Sequence, residues 1–80
     1  MRVVTEIPHA AVKITVFAWN GKYLIKLERG PYEQTYKISE MEVAGDETIK
    51  QMLDETFINE AVSLFQQMHQ HLMAALERAE

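Results

Sequence analysis

Apolar and polar side chains alternate on both sides of the dipeptide Asn20-Gly21, which is the pattern of half-buried β-strands. Asn-Gly suits a type I′ turn, because both central residues of that turn have positive φ angles. The register that follows makes one face of the hairpin almost wholly apolar and the other mixed. We therefore predict antiparallel strands at about 10–19 and 22–29. The apolar face pairs Ala18 with Tyr23, Val16 with Ile25, and Ile14 with Leu27.

A third strand is predicted at about 32–39, after a turn near Gly30-Pro31. Proline cannot donate a hydrogen bond to a β-ladder, so Pro31 belongs at a turn or a strand edge. Loops of two or of four residues both place Tyr36 and Ile38 on the apolar face of the hairpin. The first part of the chain thus predicts a three-stranded antiparallel meander with one apolar face.

Residues 47–78 contain no glycine or proline and carry apolar residues at helical spacing. Asp46 is suited to be the N-cap, although Thr48 with Gln51 forms a rival capping box. The pattern predicts one long helix and allows a break near 58–59. The predicted fold is a single α+β domain of the order βββα.

A helix of this length would extend roughly 48 Å, whereas a nine-residue strand extends only about 30 Å. Its first half can cover the apolar sheet face, but its second half would overhang while remaining apolar. Either the helix breaks and folds back, or it packs on another chain, and we favour the second because large exposed apolar patches mark interaction sites. We expect a homodimer in which these helices pack antiparallel or cover the partner's sheet. The predicted interface residues are Leu64, Phe65, Met68, Leu72 and Leu76.

Length and charge support association. A chain of 80 residues without cysteine has a small core and no disulfide to reinforce it, and small domains of this kind often oligomerise. Residues 1–39 carry a net charge of +3 and residues 40–80 a net charge of −7. Such segregation is typical of attraction between segments or subunits, or of a basic binding face.

The mixed sheet face is the second candidate surface, because it interleaves aromatic side chains with lysines. It is predicted to present Phe17, Trp19, Lys22, Leu24 and Lys26. Tryptophan is enriched at the centres of protein interfaces, whereas aromatic residues among lysines also suit single-stranded nucleic acid. A solvated face, on which lysine stems cover the aromatic rings, is the plain structural alternative. We rank a protein contact or a solvated face first and nucleic acid second.

Catalytic and metal-binding signals are weak. Ligating histidines on a helix are usually three or four residues apart, whereas His69 and His71 are separated by two. We expect them to be solvated or interfacial. No phosphate-binding loop or nucleophile motif is present, and we predict no catalytic residue, metal or cofactor. No segment reads as a membrane span or a signal peptide, and we expect a cytoplasmic protein.

The sequence therefore predicts a small non-enzymatic protein that acts by homo-oligomerisation and by binding a protein partner. The alternative is a single-stranded nucleic-acid module that uses the lysine and aromatic face.

Overall fold

The computed structural model describes residues 1–80 as four strands, a short 3-10 turn and two helices. The strands form one antiparallel sheet in the order β1-β2-β3-β4, and the helices cover one of its faces. The predicted α+β class, an antiparallel meander followed by helix, is confirmed. The elements are β1 (Arg2–Ile7), β2 (Lys13–Trp19), β3 (Lys22–Arg29), β4 (Tyr32–Ser39), the 3-10 turn (Glu40–Glu42), α1 (Asp46–Met52) and α2 (Glu55–Ala79).

The central hairpin has the predicted register. Asn20 and Gly21 have φ angles of 54° and 76°, as a type I′ turn requires, and Val16 lies opposite Ile25. The first strand of this hairpin begins at Lys13, not at the predicted residue 10. A two-residue turn at Gly30-Pro31 leads into β4, so the shorter of the two predicted loops is the observed one.

A fourth strand, β1, was not predicted and pairs with β2 along the edge of the sheet. Its register shifts between Val3 and Thr5, so a β-bulge interrupts the alternation of faces. Apolar and polar residues therefore do not alternate regularly along β1, as they do along the predicted strands. The β-branched run Val3-Val4-Thr5 is the signal that remains in the sequence.

The predicted helix is interrupted, but not near 58–59. It divides at Leu53-Asp54 into α1 and α2, and Asn59 lies inside α2. Asp54 is the N-cap of α2, since its Oδ1 accepts a hydrogen bond from the backbone N of Phe57 at 2.9 Å. The N-cap of α1 is Gly45, so Asp46 is the first helical residue and not the predicted cap.

The core lies between the sheet and both helices. It combines inward-facing residues of β2 and β3 with Ile49 and Leu53 near α1, and with Ile58, Ala61 and Phe65 of α2. Phe65 is the largest fully buried side chain. Both helices, on either side of the break at Leu53-Asp54, bury apolar residues against the same face of the sheet.

Helix α2 runs along β4 in the opposite direction. Phe57 stacks edge-on against Tyr36, the carbonyl of Ala61 accepts a hydrogen bond from Gln34, and His69 meets Tyr32. Tyr32 is the first residue of β4, so α2 leaves the sheet at this point. Residues 70–79, which we term the C-terminal extension, continue beyond it and give the molecule a long axis of 47 Å.

Candidate functional site

The five predicted interface residues of α2 do not form one exposed stripe. Phe65 is only 1% exposed and belongs to the core, and Met68 is half-buried against it. Leu64 is exposed on the flank of α2, while Leu72 and Leu76 are 42% and 48% exposed in the C-terminal extension. The residues available to a second molecule are therefore Leu64, Leu72 and Leu76.

Leu72 and Leu76 continue the core-facing stripe of α2. They follow Phe65 by seven and eleven residues, so all three lie on one face of a helix with 3.6 residues per turn. Phe65 meets the sheet, but the sheet has ended before Leu72 is reached. Met73, exposed on the border of the same stretch, adds to this apolar surface.

The base of the C-terminal extension carries basic groups. Tyr32 Oη and His69 Nδ1 are 2.8 Å apart, and their rings meet edge-on. Arg29 lies beside them in a shallow cavity of about 340 Å³ whose lining includes Phe65. Arg29 forms no ion pair. The far end of the extension, by contrast, carries Glu77, Arg78 and Glu80.

The other face of the sheet is not covered by a helix, and we term it the open face. Directly opposite residues on neighbouring strands share a face, so the register defines its rows. One row contains Val3, Phe17, Leu24 and Lys37, and the next contains Trp19, Lys22 and Ser39. A third row contains Glu6, Thr15, Lys26 and Thr35. A fourth row contains Lys13, Glu28 and Glu33.

The predicted sheet-face residues all lie on the open face, but with different surroundings. Trp19 is 53% exposed and Lys22 is exposed, while Phe17 and Leu24 are half-buried. Lys26 is engaged within the chain, because its Nζ lies 3.1 Å from a carboxylate oxygen of Glu33 and 4.0 Å from one of Glu28. The hydrogen bond to Glu33 and the nearby charge of Glu28 raise the pKa of Lys26.

A cluster that the sequence did not reveal joins β1, β3 and α1. Asp46 accepts hydrogen bonds from Arg2 Nη1 at 2.9 Å and from Tyr23 Oη at 2.7 Å. These two bonds, that from Arg2 foremost, lower the pKa of Asp46. The bond to Asp46 also raises the pKa of Tyr23. This carboxylate of α1, held by side chains of β1 and β3, connects three elements and has a structural role.

The chemistry available elsewhere is modest. A broad groove of about 620 Å³ at the β1–β2 connection includes His9, whose Nδ1 accepts a hydrogen bond from the backbone N of Ala11. No group of three or more His, Asp or Glu side chains is arranged to hold a metal ion. Neither helix has the combination of length and apolar character needed to cross a membrane.

No protein-family model matches the chain, and comparisons with curated proteins and with solved structures found no significant match. The two candidate binding surfaces of the molecule are the C-terminal extension and the open face.

Proposed function

We propose that this chain is a non-enzymatic binding protein that self-associates through the C-terminal extension of α2 and binds a protein partner. The observation that carries the proposal is the continuation of the core-facing stripe beyond the sheet, where Leu72 and Leu76 are 42% and 48% exposed. A helix that keeps an apolar face where its own chain provides nothing to bury it is typical of an interaction element.

Burial of these leucines supplies the driving force for association. Fully burying one leucine side chain contributes up to about 3 kcal/mol, and a two-fold dimer buries Leu72 and Leu76 of both copies. Both side chains are partly covered already, so the gain per residue is smaller than this maximum. Met73 and the exposed Leu64 extend the contact along α2.

Charge favours an antiparallel arrangement of the two extensions. An antiparallel pair places Glu77 and Glu80 of one copy beside the base of the other extension, where Arg29 and His69 lie. A parallel pair would place the far ends of both copies together, and because Glu77 and Glu80 outnumber Arg78 in each, their net negative charges oppose association.

The test is the molar mass in solution of a variant with both leucines replaced. We expect the wild-type protein to have twice the mass of the chain at high concentration and to dissociate on dilution. The variant Leu72→Glu/Leu76→Glu should have the mass of one chain at every concentration, because association would bury its glutamates in the proposed interface. Light scattering across a dilution series measures both. Met68 is unsuitable for this test because it packs against the core of its own chain.

Gln67→Glu/Gln70→Glu is the matched control, since it adds the same charge on the opposite, exposed face of α2. It should associate as the wild type does. The proposal is wrong if the leucine variant retains the wild-type mass at matched concentration, or if the wild-type protein is a monomer throughout.

Single-stranded nucleic acid is the second candidate ligand, and the proximity of Phe17 and Trp19 to Lys22 on the open face favours it. Such binding would be salt-sensitive and would weaken when Trp19 or Lys22 is replaced by alanine, as the anisotropy of a labelled oligonucleotide would report. It ranks lower because residues 40–80 carry a net charge of −7, which repels a polyanion.

A further inference from the structure

The two ends of the open face differ in charge. At the end formed by Lys13, Lys26, Glu28 and Glu33, basic and acidic side chains are interleaved, and Lys26 contacts both neighbouring carboxylates. Lys13 lies directly opposite Glu28 on the adjacent strand. Its carboxylates Glu6, Glu28 and Glu33 outnumber Lys13 and Lys26, so this end offers an acidic partner no net attraction.

The opposite end is apolar and basic. We term it the Trp19 end, and it consists of Val3, Phe17, Trp19, Lys22, Leu24 and Lys37. Val3 is 56% exposed and Trp19 is 53% exposed, while Lys22 and Lys37 are exposed and form no ion pair. These two rows of the sheet contain no carboxylate. Uncovered apolar area and unpaired positive charge therefore coincide.

We propose that the Trp19 end docks a segment of another protein that presents apolar side chains flanked by carboxylates. The apolar side chains would cover Val3, Phe17 and Trp19, and the carboxylates would pair with Lys22 and Lys37. This inference rests on the proposed role as a binding protein, but it does not require the dimer. It specifies the chemistry of the partner, which the general proposal leaves open.

Charge complementarity selects this partner over a long polyanion. A short acidic segment needs to contact only the Trp19 end, whose two strand rows contain no carboxylate. An extended nucleic-acid strand would also pass the glutamates at the other end of the open face, which repel phosphate groups. The leucines of the C-terminal extension, for their part, are engaged with each other in the proposed dimer.

Trp19 is the only tryptophan of the chain, so its fluorescence reports on this surface alone. The probe is a short synthetic amphipathic peptide with leucines at every third or fourth position and glutamates between them. Titrating it should shift the Trp19 emission to the blue and saturate. A second peptide, with lysine in place of every glutamate, should bind much more weakly.

Two charge-reversal variants locate the interaction. Lys22→Glu/Lys37→Glu should weaken binding of the acidic peptide roughly tenfold and strengthen binding of the basic one. Lys13→Glu/Lys50→Glu makes the same change in net charge away from the Trp19 end and should behave as the wild type. All four lysines are exposed, but Lys13→Glu places a carboxylate opposite Glu28 and Lys50→Glu removes an ion pair with Glu47. Circular dichroism therefore verifies that both variants are folded before binding is compared.

The inference is overturned if the two peptides bind equally, or if both variants lose affinity to the same extent. It is also overturned if a single-stranded oligonucleotide, and not the acidic peptide, shifts the emission, or if dilution without peptide shifts it, because a second copy would then occupy the face. The mass of the same samples distinguishes the two proposals. If the protein is a dimer that does not bind the acidic peptide, only the inference about the Trp19 end is refuted. If it is a monomer that binds the peptide, only the proposed dimer interface in the C-terminal extension is refuted.

Discussion

At the scale of single residues, Asp46 has the most extensive polar contacts. Its carboxylate is held by Arg2 of β1 and Tyr23 of β3, and it begins α1. The positive end of the helix dipole also favours a carboxylate in this first turn. The side chain thereby fixes the edge strand and the start of the helical layer to the centre of the sheet.

The contacts of Asp46 have a consequence for stability at low pH. The folded protein holds the pKa of Asp46 below its ordinary value, so the folded state binds fewer protons than the unfolded state between the two pKa values. The stabilisation is fully present above the ordinary aspartate pKa of about 3.9 and is lost as the pH falls through the lower pKa of the folded state. We expect Asp46→Asn to lose less of its urea midpoint than the wild type between about pH 6 and about pH 3.

Glu60→Gln is the control, because it removes one exposed carboxylate that forms no ion pair. Its midpoint should follow the wild-type pH dependence. If Asp46→Asn follows it equally well, the hydrogen bonds to Arg2 and Tyr23 make no pH-dependent contribution to folding.

The polar contacts of Asp46 and Lys26 could not be predicted from the sequence. Asp46 was predicted to be a helix cap because caps are local signals, whereas its bond to Arg2 spans 44 residues and depends on a strand that was not predicted. Lys26 was assigned to a partner-binding face, yet its nearest carboxylate belongs to Glu33. That contact follows only from the length of the turn before β4, and the sequence left two lengths open.

At the scale of elements, the hairpin and the helical periodicity were predictable, but the division of the helix was not. Leu53 fits the apolar stripe, and Asp54-Glu55 reads equally well as part of a solvated acidic face. Asp54 is a residue type that favours the N-cap position, and its bond to Phe57 shows that it caps α2. The break allows both Leu53 and Ile58 to be buried against the sheet. Their joint burial could not be predicted from the sequence.

Gly45 precedes α1, and substitutions there test whether the backbone at the start of this helix requires glycine. Its angles, φ 138° and ψ −169°, lie in a region that is essentially limited to glycine. A Cβ there would meet no atom within 4 Å, so any cost of a substitution comes from the backbone and not from a clash. We expect Gly45→Ala to lower the free energy of unfolding by about 1–3 kcal/mol, measured by urea denaturation.

The same position replaced by D-alanine, introduced by chemical synthesis, provides a matched control. A D-residue favours the mirror-image region, so these angles fall in its extended basin. Its stability should equal or exceed that of the wild type. Equal stability of the L- and D-alanine proteins would show that Gly45 is free to adopt another conformation.

At the scale of the whole molecule, the sheet is covered on one side only and α2 is longer than the strands beneath it. The overhang was predictable, because helix length and strand length follow from residue counts. The sequence could not show which apolar residues the chain covers itself. Phe65 and Met68 pack against the core because α2 stays over β4 as far as Tyr32. Of the core-facing stripe of α2, only Leu72 and Leu76, which lie beyond that point, are left for another molecule.

The proposed dimer interface is tested most directly by hydrogen–deuterium exchange of the amides of residues 70–79 at high and at low protein concentration. If the C-terminal extension is the dimer interface, these amides are protected at high concentration and exchange faster on dilution, while the amides of β3 serve as an unchanging reference. Leu72→Glu/Leu76→Glu should show fast exchange at both concentrations. Exchange of residues 70–79 that is the same at every concentration would contradict a dimer interface in the C-terminal extension.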